Sequence, residues 1–347
     1  MDMTTERYKL VLLSAGLLLL ATISATSAWG ESRFRQLTMT NGLSNARVFS
    51  VLQSDRGYVW LATEDGLDRY DGYSIKVFKN DPADPSSISS NLARVVYEDA
   101  RHRLWIGTTG GGLNLYDPQT NTFQHFTHTS ENPNSLASNN IWSLSSAGDG
   151  KLLVGTFDAG LDIFDPQTGD ARHFPAAQNA TGPSDNQINA ILPDQHGIIW
   201  IGTQSGLDSF NENSGTFVHY HSKTSTLEII RDITQDKEGR LWIASNKGLQ
   251  YLDPGKSVIT SASLDKTSAV TGNLSSVFID SKDNLWIGSL DSGMYLRRNG
   301  ASEYINFHQN TGDLSSLSSN SLWDIYQDHS GLIWVTTDNG VDILDPG

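Results

Sequence analysis

One position that recurs along the chain carries a different side chain in each repeat, and several of these side chains suit ligand binding. It is occupied by Phe49, Arg94, Trp142, Asn189, Arg231, Ser275 and Trp323, roughly 42–48 residues apart. Aromatic rings beside arginine and amide groups suit a sugar, because apolar ring faces stack and hydroxyls need fixed donors and acceptors. Positions that pack should repeat one residue type whereas positions that bind need not, so this varied position is a candidate for binding. The alternative is that Trp142 and Trp323 fill space between repeats.

A second recurring position indicates the repeated scaffold that holds these residues. Eleven residues further along each repeat stands a tryptophan or its equivalent: Trp60, Trp105, Leu153, Trp200, Trp242, Trp286 and Trp334. Six residues before it an Asp recurs, and three before it a Gly, which is typical of a hairpin turn. No stretch after residue 30 shows a convincing helical apolar period. We therefore predict that the tryptophans pack between repeats.

Each repeat reads as four short antiparallel strands, here called a, b, c and d from the inner strand outward. A period of this length with four strands predicts a β-propeller. The predicted fold is all-β, a seven-bladed β-propeller over 31–347, with repeats at about 43–87, 88–135, 136–184, 185–227, 228–271, 272–316 and 317–347. The seventh repeat lacks strand d. The stretch RFRQLT at 33–38 resembles the other d strands, so we expect it to complete that blade and close the ring.

The turns between strands b and c lie on the same face as the variable position. They contain Glu64, Asp65, Phe157, Asp158, Gln204, Asn246, Lys247, Asp291, Asp338 and Asn339. The predicted ligand-binding set is Phe49, Arg94, Trp142, Asn189, Arg231 and Trp323, with Asp158 and Asp338 from these turns. The glycine-rich turn TTGGG at 108–112 belongs to the same class. A strand follows it, whereas a phosphate-binding loop opens a helix.

Composition and the amino-terminal segment restrict the partners and the compartment. The formal net charge is −15, which disfavours nucleic acid and anionic lipid, and the chain has no cysteine. Residues 1–30 read as a secretory signal peptide, with an apolar stretch at 10–25 and small residues before a cleavage point after Ala28 or Gly30. The alternative is an uncleaved anchor. We expect a periplasmic or secreted protein with no membrane span in the mature chain.

The sequence gives little support for a metal-binding site or a catalytic nucleophile. His219 and His221 form an H-x-H pair, but His125, His173 and His219 share one position on the outer strand, where we expect them to face solvent. No G-x-S-x-G motif is present, and an Asp repeated in every turn indicates turn chemistry. We predict no catalytic residues, no metal and no cofactor.

Longer stretches give a family resemblance. The segment from FRQLTMTNGLSNARVF at 34–49 to the SSIS at 86–89 resembles the opening of the periplasmic two-component regulator propeller family, and repeats such as LWIGT and GGLNLYDP resemble its successive units. The similarity covers 33–347. It implies an extracytoplasmic sensor that passes its signal to a histidine kinase or diguanylate cyclase module outside this chain.

Two further functions stay open beside the sensor. The first is a propeller enzyme that resembles streptogramin B lyase or acts on glycosides, since such propellers also repeat short tryptophan-containing strands. The second is a platform for another protein. The leading prediction is a non-catalytic sensor that binds a small molecule or saccharide and has a signalling receptor as its partner.

Overall fold

The computed structural model describes residues 33–220, 228–262, 270 and 272–347. They form seven four-stranded antiparallel sheets arranged as the blades of a ring. The predicted signal peptide at 1–30 lies outside the described residues, as does His221. No helix in the described part of the chain is long and apolar enough to cross a membrane.

The first three blades follow the chain order. Blade 1 contains β2 (Val48–Gln53), β3 (Val59–Thr63), β4 (Gly66–Tyr70) and β5 (Ile75–Phe78). Blade 2 contains β6 (Ala93–Glu98), β7 (Leu104–Thr108), β8 (Leu113–Asp117) and β9 (Thr122–Phe126). Blade 3 contains β10 (Ile141–Ser146), β11 (Leu152–Thr156), β12 (Leu161–Phe164) and β13 (Ala171–Phe174). Short 3₁₀ turns occupy Met39–Asn41 and Gly148–Gly150.

The remaining blades repeat this plan. Blade 4 contains β14 (Ile188–Pro193), β15 (Ile199–Thr203), β16 (Gly206–Asn211) and β17 (Thr216–Tyr220). Blade 5 contains β18 (Ile230–Gln235), β19 (Leu241–Ser245), β20 (Gly248–Leu252) and β21 (Thr260–Ser261). Blade 6 contains β22 (Leu274–Ile279), β23 (Leu285–Ser289), β24 (Met294–Arg297) and β25 (Tyr304–Phe307). Blade 7 contains β26 (Leu322–Gln327), β27 (Ile333–Thr337) and β28 (Gly340–Leu344).

The amino-terminal strand closes the ring, as predicted. Strand β1 (Arg35–Leu37) pairs antiparallel with β28 and becomes the outer strand of blade 7, with Gln36 opposite Asp342. The predicted all-β, seven-bladed propeller is therefore confirmed. Closure leaves blade 7 with the same four strands as its neighbours and removes the open edges of an unclosed ring.

The tryptophan positions pack between blades. Trp200 of blade 4 shares a buried cluster with Ile230, Ile233 and Ile243 of blade 5. Trp60 likewise packs with the side chains of blade 2. One tryptophan position therefore supplies part of the apolar contact between each blade and the next, as the repeat predicted.

A carboxylate fixes the indole at five of these positions. Asp99, Asp194, Asp236, Asp280 and Asp328 each accept a hydrogen bond from the indole Nε1 six residues later, over 2.7–3.0 Å. The other oxygen of each carboxylate accepts backbone N–H groups of the a–b turn. The turn Gly has a left-handed backbone, as at Gly197 with φ 80°. His102 and Asp283 adopt the same left-handed conformation at this position.

A second recurring carboxylate joins strand c to the connection that precedes strand a of the same blade. Asp68 Oδ2 accepts the N–H of Ser44 over 2.9 Å, and Asp342 Oδ2 accepts the N–H of Ser318 over 2.9 Å. In blade 2 the same bond is made to Asn114, whose amide also donates to the Ser89 hydroxyl. The carboxylates are fully buried, and burial raises the pKa of Asp68 to about 6 and that of Asp342 to about 7.

We expect Trp200→Ala to lower the free energy of unfolding by about 3–5 kcal/mol, because it removes a large buried ring between blades 4 and 5. Chemical denaturation followed by circular dichroism measures the change. Tyr73→Ala is the matched control, since Tyr73 is 98% exposed. Equal stability of the two variants would contradict the packing role.

We expect Asp68→Asn to reduce the pH dependence of stability. The folded pKa of Asp68 lies above the ordinary value, so the folded state holds the proton more tightly. Its stabilising contribution is therefore present below about pH 4 and is lost as the pH rises through about 6, for a total of about 3 kcal/mol. Asn keeps the acceptor for Ser44, as Asn114 does in blade 2. Melting temperatures from pH 4 to 8 measure the slope, and an unchanged slope would contradict the assignment.

Candidate functional site

The variable position of each repeat is a β-bulge. In every blade the register between strands a and b shifts across one residue, and that residue is Phe49, Arg94, Trp142, Asn189, Arg231, Ser275 or Trp323. A bulged residue leaves the regular ladder, and its side chain is re-aimed relative to its neighbours. The bulge therefore explains how one position at the start of each inner strand points toward the ring centre.

These seven bulges surround one central cavity of about 500 Å³. Six of the eight predicted ligand-binding residues line it: Phe49, Arg94, Trp142, Asn189, Arg231 and Trp323. Its wall also contains polar side chains that the sequence did not single out as a set, including Ser50, Ser143, Gln187, Gln204, Asp232 and Asp324. The structure thus brings together residues that are up to 275 positions apart in the chain.

Arg94 lies among three aromatic rings in this cavity. Its guanidinium carbon is 4.5 Å from the ring centre of Phe49, 4.4 Å from that of Trp142 and 5.2 Å from that of Trp323. Burial lowers the pKa of Arg94 to about 10, so the group stays charged at neutral pH. Within the described residues no side chain or carbonyl accepts a hydrogen bond from the guanidinium. The donors of Arg94 are therefore available to a bound molecule.

Asp338 and Asp158 come from turns beside this aromatic group and are not among the residues that line the cavity. Asp338 accepts the Nε1–H of Trp323 over 2.9 Å and Nε–H of Arg47 over 2.7 Å. Burial opposes ionisation of Asp338, but hydrogen bonds from Trp323, Arg47 and Ser321 together with the charge of Arg47 lower its pKa. Asp158 accepts a bond from Asn140, next to Phe157, whose ring lies 4.5 Å from that of Trp142. Asp338 thus bonds one ring of the group directly, whereas Asp158 bonds only the Asn140 side chain.

Asn189 and Arg231 also join neighbouring blades. Asn189 Nδ2 donates to the carbonyl of Ile230 over 2.8 Å, and Arg231 Nη1 donates to the carbonyl of Leu274 over 3.2 Å. In each pair the acceptor lies at the start of the next inner strand. These two residues therefore fix the spacing of the cavity wall in addition to lining it.

Two carboxyl groups deeper in the wall were missed by the sequence reasoning. Asp232 accepts the N–H of Val277 over 2.9 Å, and Asp324 accepts the N–H of Val51 over 3.1 Å. Burial raises the pKa of Asp232 to about 7 and also raises that of Asp324. Each follows its bulge residue directly, where the other blades have serine, alanine or valine. An aspartate directly after the bulge residue, at a position facing the central cavity, is the sequence signal that could have identified them.

The prediction that the outer-strand histidines face solvent is wrong in blades 3 and 4. His173 Nδ1 donates to Asp162 Oδ1 over 2.7 Å, and His219 Nδ1 donates to Asp208 Oδ1 over 2.7 Å. Each histidine stands directly opposite its buried aspartate in the strand c–d register, which turns its ring inward. The described residues contain no group of three or more His, Cys, Asp and Glu side chains that could hold a metal ion.

Comparison with known proteins agrees with this architecture. Residues 182–205, 225–247 and 316–339 match the family model described as two component regulator propeller. These three matches confirm the resemblance to that family. A 56-residue stretch is 39% identical to histidine kinase P4 of Formosa agariphila, covering 16% of this chain and 4% of the kinase.

Solved structures match over most of the described chain. The extracellular domain of the hybrid two component system BT3049 from B. thetaiotaomicron matches with a TM-score of 0.81 and 25% identity, over 91% of this chain and 42% of that one. Virginiamycin B lyase from Staphylococcus aureus matches with a TM-score of 0.67 and 13% identity, over 90% and 99% of the two chains. The lyase shares the fold. This chain spans less than half of the two component system domain.

We expect Asn189→Ala to destabilise the protein by about 1–2 kcal/mol, because the carbonyl of Ile230 loses its side-chain donor. Gln204→Ala is the matched control, since Gln204 lines the same cavity and its side chain makes no hydrogen bond to the described residues. Thermal melts of both variants measure the difference. An equal effect would contradict the bridging role of Asn189.

Proposed function

We propose that this protein is a non-catalytic ligand-sensing propeller that works outside the cytoplasm and binds a small molecule or saccharide in its central cavity. The observation that carries the proposal is the position of Arg94, whose charged group lies among three aromatic rings at the bulges and bonds no described acceptor. The two component regulator propeller repeats and the similarity to an extracellular two component system domain support a sensory role.

The cavity lining favours a ligand that is rich in oxygen. Arg94 and Arg231 offer N–H donors to hydroxyl or carboxylate oxygens, while Asn189, Gln187 and Gln204 offer both donors and acceptors. The rings of Phe49, Trp142 and Trp323 supply apolar faces and edges beside these groups. Arg94 already occupies part of the space between the rings, so a sugar contacts their outer faces and the guanidinium together.

Signalling requires that the ligand favour one of two arrangements of the propeller and its partner. A molecule bound at the centre contacts inner strands of several blades at once, since the six predicted lining residues come from blades 1, 2, 3, 4, 5 and 7. Its binding energy therefore acts on the packing between blades and shifts the population of the arrangement it binds better. The receiving module in our proposal is a histidine kinase or diguanylate cyclase outside this chain.

A propeller lyase is the second candidate, and the two buried acids of the cavity wall favour it. Virginiamycin B lyase and streptogramin B lyase share the fold of this chain. Asp232 and Asp324 in the cavity wall, with raised pKa values, would then be the candidate proton-transfer groups.

A binding screen with point variants tests the proposal. Soluble glycans and small acids are screened by thermal shift, and hits are titrated by calorimetry. We expect Trp323→Ala and Arg94→Gln each to lower the affinity for a hit at least about tenfold, because each removes a direct contact. Tyr73→Ala, with its exposed side chain far along the blade, is expected to bind like the unaltered protein.

The ligands found in this screen also distinguish the sensor from the enzyme. Unchanged affinity in both cavity variants would contradict binding at the ring centre. Chromatographic detection of a product, lost in Asp232→Asn or Asp324→Asn, would contradict the sensor and support the enzyme. A hit that is bound and recovered intact supports the sensor.

A further inference from the structure

A second cavity lies between blades 1 and 2, at the opposite end of the inner strands from the bulges. It has a volume of about 250 Å³. Its lining comprises Ser54, Arg56, Tyr58, Trp60, Arg69, Glu98, His102, Leu104, Tyr116, Pro118 and Asn121. Because Ser54 follows the last residue of β2, the cavity opens at the a–b turn of blade 1 and is separate from the central cavity.

The equivalent turns of other blades show what this place normally contains. In blade 2, Asp99 Oδ1 accepts the backbone N–H groups of Arg101 and Arg103, and Asp99 Oδ2 accepts the indole N–H of Trp105 over 2.9 Å. Blades 4, 6 and 7 repeat all three bonds around Asp194, Asp280 and Asp328. One carboxylate thus satisfies three converging donors.

Blade 1 keeps the donors and lacks the carboxylate. Its residue at this position is Ser54, and the turn retains the same backbone bonds, from Ser54 N–H to the Tyr58 carbonyl and from Gly57 N–H to the Ser54 carbonyl. Within the described part of the chain, nothing accepts a hydrogen bond from the N–H groups of Arg56 and Tyr58 or from the indole of Trp60. Trp60 is only 2% exposed and lines the cavity.

Two arginines make this cavity attractive to an anion. Arg69, opposite Trp60 on strand c, stacks its guanidinium 4.5 Å from the ring centre of Tyr58 and donates to the neutral oxygens of Tyr116 and Asn121. The residues opposite the tryptophan position in the other six blades are uncharged. Glu98 is the acid in the lining, and its Oε2 accepts the N–H of Asp55.

Blade 3 differs from blade 1, because it lacks both the turn carboxylate and the indole donor. Blade 3 also lacks the carboxylate, with Ala147 in its place, but it has Leu153 at the tryptophan position. There the indole donor and the carboxylate are absent together, so no side-chain donor is left without an acceptor. In blade 1 the donor is kept and an acceptor is missing.

We propose that this cavity is a second binding site, for the carboxylate group of a small organic acid. The carboxylate takes the place that the turn Asp has in blades 2, 4, 6 and 7, accepting bonds from Trp60 Nε1 and from the backbone of Arg56 and Tyr58. Arg69 and Arg56 supply the positive charge. Charge-assisted bonds of this kind are the strong ones among protein hydrogen bonds.

The indole N–H of Trp60 reports directly on this site. Protein with ¹⁵N-labelled tryptophan is titrated with sodium acetate at constant ionic strength, and Trp60→Phe assigns the resonance. We expect acetate to shift the Trp60 indole signal saturably and to leave that of Trp334, which is already bonded to Asp328, unchanged. Acetamide, which has the same shape without the charge, is expected to produce no saturable shift.

Two variants make the result decisive. Ser54→Asp supplies the carboxylate from the protein itself, so the Trp60 signal is expected to move toward those of the five indoles bonded to an a–b turn Asp and to stop responding to acetate. Arg69→Gln is expected to weaken acetate binding about tenfold through loss of a charged donor. The unchanged signals of the other tryptophans show that each variant is folded.

Three results would overturn the proposal. The first is an acetate response at Trp60 no larger than that of acetamide, the second is a response that persists in Ser54→Asp, and the third is a Trp60 signal that Ser54→Asp does not move. None of these readouts depends on the central cavity, so failure here leaves the sensor proposal standing.

Discussion

The a–b turn carboxylate is the interaction on which the regularity of the ring depends. It ends the inner strand, bonds the turn backbone and fixes the indole that packs against the next blade, so one side chain couples local geometry to the contact between blades. The two positions change together in blade 3, where Ala147 accompanies Leu153. An aspartate without the indole, or an indole without the aspartate, leaves polar groups that need another partner, and blade 1 is the second case.

The strand c carboxylates extend this coupling toward the start of each blade. Asp68, Asp162, Asp208 and Asp342 each hold the backbone that leads into the inner strand. In blades 3 and 4 the second oxygen bonds a histidine of strand d, whereas Asp68 Oδ1 and Asp342 Oδ1 are buried without a described partner. Blades 1 and 7 flank the place where the ring closes, so two acids whose pKa values are raised by burial lie on either side of that junction.

Repetition determined how much could be predicted from the sequence. The tryptophan positions, the turn aspartates and the closing strand were all predictable, because a residue type that recurs at fixed spacing reports one packing environment seven times. The position of Arg94 among Phe49, Trp142 and Trp323 was only partly predictable. The sequence placed these residues on one face, but their distances depend on the curvature of the ring.

Other features depended on register and could not be inferred from residue types. The bulges appear only when strands a and b are aligned residue by residue, and the inward turn of His173 follows from its position opposite Asp162. Asp158 and Asp338 were placed correctly on the turns, yet the side chains they bond, Asn140 and Trp323, could not be inferred from the turn residues.

The seven bulges have a consequence for how such a protein can diversify. A bulged residue is excluded from the regular cross-strand pairing, so its side chain can change without changing the strand propensity that each ladder requires. The sequence therefore contains two kinds of position: residues that repeat from blade to blade and build the scaffold, and one variable bulge residue in each blade that faces the centre of the ring. The seven bulge residues can therefore differ between blades while the strands of each blade keep their pairing, and Asn189 and Arg231 use this freedom to bond the next blade.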